Sequence, residues 1–167
     1  LRESLPTRDG LALLGFGAGP VLAPEASVLR EVISAAQRGT DLLVLDLPRS
    51  AVSAGPARVA ASDALGRLHL LVLLVHGTVS GVASAARVAA RLLPGHPPAG
   101  VVVRRSSGAV DPRRVAAALE LPLLADYPSR RRVVESVDLG LGPVRSPRSP
   151  LARAARQVIA EARMWPR

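Results

Sequence analysis

The sequence contains no cysteine, no lysine and no asparagine. Without cysteine there can be no disulfide, thiolate metal site, iron–sulfur cluster or thiol nucleophile. Without lysine there can be no G-x-x-x-x-G-K-[ST] phosphate loop, intact or deviant, because that loop places an ammonium on the phosphates. Aromatic residues are limited to Phe16, Tyr127 and Trp165. A core must therefore be built from Leu, Val and Ala, and a stacking platform for single-stranded nucleic acid is nearly excluded. No apolar run approaches the ~20 residues of a membrane span. Residue 1 is Leu, with no charged-then-apolar leader after it. The expectation is a cytosolic chain that forms part of a longer polypeptide.

What is present is apolar and basic. The chain has 167 residues, 49% of them hydrophobic, enough for one domain with a real core. All 22 basic residues are arginine, against 13 acids, for a net charge of +9. Residues 1–100 hold 9 Arg and 7 acids, net +2, whereas residues 101–167 hold 13 Arg and 6 acids, net +7. An excess of this kind is either a solvated arginine surface or a footprint for nucleic acid or anionic lipid. The solvated surface is the favoured reading.

Hydrophobic runs alternate with helical patterns. Leu11–Phe16 reads as a buried strand and Pro24–Arg38 as a helix capped by Gly39. Asp41–Leu47 is a second strand, and Pro56–Leu65 a short helix. Leu68–Val75, apolar on both faces, reads as a central parallel strand. Val79–Leu93 is a helix and Gly100–Arg104 a strand. Asp111 before Pro112 starts a helix through Leu119. Leu121–Ala125 is a strand, and Arg130–Leu139 a helix closed by Gly140. Ser149 caps a final helix to Met164. This order predicts an α/β fold: a doubly wound, mainly parallel sheet with helices on both faces. Ligands of such sheets sit at the carboxyl ends of the strands, so the loops after Phe16, Asp46, Val75, Arg104 and Ala125 are the candidate site.

Individual motifs are soft. An apolar strand ending in Asp46 is how a carboxylate is offered to the Mg2+ shell of a bound nucleotide, and equally how many strands cap the next helix. Gly15-Phe16-Gly17-Ala18-Gly19-Pro20 follows a strand, but its G-x-G-x-G spacing is not the dinucleotide pattern. His69, His76 and His96 lack metal-ligand spacing, and structural roles are favoured for them. Leu151, Ala155, Val158, Ala162 and Trp165 form an apolar stripe on the last helix, best read as packed on the sheet, with a membrane-surface helix as the alternative. Arg130, Arg131 and Arg132 form the densest basic cluster. They are a solvated face, or a contact for DNA phosphates.

Taken in order, DLLVLDLPRS, LHLLVLLVHGTVSGVASAARVAARL, VVVRRSSGAVDPRRVAAALELPLLADYPSRRRVVESVDLGLGP and SPLARAARQVIAEA resemble the later part of MinD/ParA-type ATPases, in particular the actinobacterial septum-site-determining and CpaE/TadZ-like branch. The opening LPTRDGLALLGFGAGP fits the same branch. The resemblance spans essentially the whole chain. It implies that residues 1–167 are a single α/β domain, the C-terminal part of such an ATPase domain, with the Walker A part absent. It places Asp46 at the Walker B position, near Mg2+ through water, and Pro48 at the switch proline. It places Tyr127 and Pro128 at the loop beside the base. Arg104, followed by Arg105, stands where the family has an adenine-reading Asn, and arginine offers only donors.

The resemblance further implies ATP and Mg2+ as cofactors of an intact parent protein, bound weakly or not at all by this chain alone. It implies a homodimer, and protein partners from the division or pilus and secretion machinery. It also implies a cytoplasmic location, peripheral at a membrane or septum in some members. Three readings follow. The first is an ATPase-like regulatory protein, with this chain not catalytic by itself. The second is a non-catalytic scaffold of the same fold. The third, less favoured, is an arginine-driven module for DNA or a membrane surface.

Overall fold

The computed structural model of the protein describes residues 5–8, 10–15, 25–47, 64–92, 98–106 and 109–164. They fall into two units, Leu1–Arg67 and Leu68–Arg167.

In the first unit, β1 (Thr7–Arg8) and β2 (Leu11–Ala12) pair antiparallel around a turn at Gly10. The long buried strand expected over Leu11–Phe16 is not formed. The turn folds the chain back so that Leu13 N donates to Pro6 O, and Leu11, Leu13 and Leu14 are exposed. Helix α1 (Ala26–Gly39) runs through the expected capping glycine and ends at an extended Thr40. Its Ile33 is buried, as are Ala64 and Leu65. Arg67 Nη1 donates to Ser34 Oγ and Gln37 Nε2 to Arg67 O, which ties the turn after Leu65 to α1. Residues 41–47 form no strand, and Val44 is 78% exposed. An apolar run becomes a strand only when a neighbour pairs its N–H and C=O groups, and none of the described residues does. The glycine-rich stretch beyond Gly15, Pro48 with its expected switch position, most of the helix expected from Pro56, His96 and Trp165 lie outside the described residues.

The second unit carries a parallel sheet in the order β3 (Leu71–His76), β4 (Ala99–Arg105), β5 (Leu123–Pro128). Helices α2 (Val79–Leu92) and α3 (Pro112–Leu119) make the crossovers. Both pack on one face, where Leu73, Val75, Val101, Val103, Val115 and Leu119 form the main core. On the opposite face, α5 (Pro150–Met164) covers β5 through Ala154, with Val102, Leu124 and Ala125 beneath it. The expected doubly wound α/β architecture is thus present, with α4 (Arg131–Asp138) following β5.

One strand expectation and one helix expectation need correction. Leu68–Val75 reads as central and apolar on both sides. Among the described residues, β3 is the sheet edge, and its burial alternates: Leu71, Leu73 and Val75 inward, Val72, Leu74 and His76 outward. On the outward side Leu74 is 65% exposed. On α5 itself, Ala154 is buried where Ala155 was expected to be, and Ala155 is exposed.

Helix starts follow the sequence closely. Asp111 Oδ1 accepts from Arg113 N and Arg114 N, with Pro112 at the first helical position. Ser149 Oγ accepts from Ala152 N. In both, a short oxygen-bearing side chain satisfies N–H groups that have no intrahelical partner.

Candidate functional site

The carboxyl ends of β3, β4 and β5 lie side by side, and strand alternation decides what each end residue faces. His76 is in register with Arg104, and Arg104 with Tyr127. These three form a row on the α5 side of the sheet. Tyr127 is half-buried against the Val102, Leu124 and Ala125 cluster, while His76 is exposed.

The row depends on a register shift between Val101 and Val102, which pair with Leu123 and Ala125. The extra residue, Leu124, places two consecutive side chains on the α5 face and turns Asp126 to the other side. Asp126 there meets Arg105, with Arg105 Nε 2.5 Å from Asp126 Oδ2. Arg104 and Arg105, adjacent in sequence, therefore serve opposite faces. Only Arg104 belongs to the row with Tyr127. Its guanidinium is held in place by Nε and Nη2, which donate to Ser129 Oγ at 3.2 and 2.8 Å.

The loop after β3 closes on the same rim. Gly77 N donates to Arg104 O, and Val110 N donates to Gly77 O. Thr78 Oγ1 accepts from Gly81 N, which caps the start of α2. Gly81 lies so close to the His76 carbonyl that a Cβ there would sit 2.1 Å from its oxygen. Ser106, just past β4, has a buried Oγ with no hydrogen-bond partner among the described residues. After β5, Arg130, Arg131 and Arg132 are all exposed at the start of α4, and Arg131 pairs with Glu135.

The remaining expected site residues do not extend this row. Pro128 ends β5 in register with Arg105. Asp46 is exposed, in the unpaired segment 41–47 of the first unit. Among the described residues no group of three or more His, Asp or Glu side chains could hold a metal. Sequence reading missed the positions of His76 and Ser129 in this row. The signal for Ser129 is faint: a hydroxyl two residues beyond the Tyr that pairs with Arg104.

No family model matches the chain. Two uncharacterized proteins, from two strains of Mycobacterium tuberculosis, are each 35% identical to it over 95% of its length. The aligned part is 43% of each relative, so the chain spans about two-fifths of their length. Among solved structures, the cell division ATPase MinD of Pyrococcus furiosus matches 81% of this chain and 59% of its own. The TM-score is 0.63 and the identity 22%. The fold is MinD-like. The likeness is one of fold, the parallel sheet with helices on both faces described above.

In such a fold a nucleotide would have ATP's base, phosphates and Mg2+ to satisfy. The residues described do not fit the phosphates or the ion: the sequence has no lysine, and among the described residues no group of three or more His, Asp or Glu side chains could hold a metal. Arg104 and Tyr127 place a guanidinium and an aromatic ring at the ends of β4 and β5. Among the described residues, no helix is long and apolar enough to cross a membrane.

Proposed function

We propose that this chain is the base-side portion of a nucleotide-switch protein of the MinD/ParA kind, and that it does not hydrolyse ATP on its own. The observation that carries this reading is the row His76, Arg104, Tyr127 at the carboxyl ends of a MinD-like sheet. Lysine is absent, so the phosphate-gripping loop must come from another segment. The outer edge of β3 has no strand partner among the described residues, which leaves room for a further strand. The curated relatives carry more than half their length outside the shared part, enough to supply one.

In the intact protein, Asp46 and Pro48 would form the switch segment. Arg104, Tyr127 and Pro128 would line the base side, with Arg105 bracing the rim through Asp126. ATP with Mg2+ would promote a homodimer, and hydrolysis would release it. The cellular role in this reading is positional control at a division septum, or of a pilus or secretion machine, in the manner of septum-site-determining and CpaE-like proteins. The location is cytoplasmic.

Calorimetry with Mg-ATP tests this on a polypeptide of the relatives' full length that carries this chain. Micromolar binding there that is lost on Tyr127→Ala supports the reading. No binding favours a scaffold of the same fold that has lost the nucleotide, the second reading raised by Arg104 in place of an adenine-reading Asn.

A further inference from the structure

Residues 130–148 combine charge and exposed apolar surface. They hold Arg130, Arg131, Arg132, Arg145 and Arg148 against Glu135 and Asp138, a net of +3. In the same segment Leu139 is 72% exposed and Leu141 55%, and Val134, Val137 and Val144 are exposed as well. No other part of the second unit pairs so many free apolar side chains with so many arginines among the described residues.

This exposure is built in. Leu139 N donates to Glu135 O, Gly140 N to Val137 O, and Leu141 N to Ser136 O. The buried Ser136 donates its hydroxyl to Gly142 O at 2.7 Å. Gly140 and Gly142 take φ of +70° and +75°, a region that side chains other than glycine rarely enter. A pinned double turn therefore holds the two leucines outward. Helix α4 adds to the positive potential. Its N-terminal position is Arg130, with no side-chain cap and no acid in the first turn.

We infer that this surface, with Leu139 and Leu141 at its tip and arginines on both sides, docks on an anionic lipid bilayer. Leucines can enter the acyl boundary while guanidinium groups stay with the headgroup phosphates. Duplex DNA would match the arginines but leave the apolar tip in water. The alternative membrane element suggested by the sequence, the last helix, is already engaged with the sheet through Ala154 and Val158. The inference does not depend on nucleotide binding.

Flotation of the 167-residue chain with phosphatidylglycerol vesicles tests it, against phosphatidylcholine vesicles and against duplex DNA. The expected result is binding to phosphatidylglycerol at least about ten-fold tighter than to phosphatidylcholine, weakening with salt. Leu139→Glu with Leu141→Glu should reduce that binding at least about ten-fold, and Arg130→Gln, Arg131→Gln and Arg132→Gln together by about a hundred-fold, since each surface arginine is worth about five-fold. Circular dichroism establishes that both variants are folded. Leu141→Trp in a Trp165→Phe background should be quenched by brominated lipid, which reports insertion directly. Three results overturn the inference: no vesicle binding, binding unchanged in the Leu139/Leu141 variant, or preference for DNA. Self-association abolished by the same variant, without lipid binding, would assign the surface to a second copy and overturn it too.

Discussion

Arg104 donates through both Nε and Nη2 to the hydroxyl of Ser129, a residue 25 positions later, across the ends of β4 and β5. The bond is exposed, so it positions the guanidinium more than it stabilises the fold. Ser129→Ala should cost less than about 1 kcal/mol. Chemical denaturation checks this, and a loss of several kcal/mol would mean that the pair is structural.

Gly81 offers a sharper test of the rim. A Cβ at this position would sit 2.1 Å from the His76 carbonyl oxygen, which is backbone and cannot swing away. Gly81→Ala should destabilise the protein by about 2–3 kcal/mol through overpacking. Gly100→Ala should cost less, because its contact is the Leu124 side chain. Thermal melts of the two variants should rank in that order.

Asp111 is the sole side chain capping α3, and it does so in front of two arginines. Asp111→Ala removes the acceptor and leaves Arg113 and Arg114 facing the positive end of the helix dipole. The expected loss is about 1 kcal/mol. Because screening relieves the uncompensated charge, the loss should shrink as salt is raised, which a salt series of denaturation curves measures.

The two faces of the sheet should respond very differently to substitution. Val103 is fully buried between β4 and the helices, so Val103→Ala should cost about 2 kcal/mol. Leu74 points outward from β3, and Leu74→Thr should change stability by less than about 0.5 kcal/mol. Equal losses at both positions would show that the outer face of β3 is covered in this chain.

The parts of the fold legible in the sequence are those fixed by local chemistry. Asp111-Pro112 and Ser149-Pro150 mark helix starts because the cap and the first helical residue are adjacent. Gly100–Arg104 reads as a strand because Val101, Val102 and Val103 need burial on both sides, and within Ala99–Arg105 they have it. The illegible parts depend on distant partners. Leu68–Val75 carries the same apolar signal as a central strand, yet within it Val72 and Leu74 are exposed. Asp41–Leu47 has the composition of a strand without a described neighbour to pair with. The register shift at Leu124 separates Arg104 from Arg105, and nothing in LPLLADYP announces which residue is the extra one. The candidate site was legible as a set of strand-end residues. Its internal pairing was not, because that follows from the register between strands.

The most direct test of the central claim is steady-state ATP turnover by the 167-residue chain with Mg2+, measured against a buffer blank. The account predicts no turnover above the blank, because the sequence has no lysine and therefore no lysine-bearing phosphate loop. Sustained hydrolysis that is lost on Asp46→Ala would contradict it.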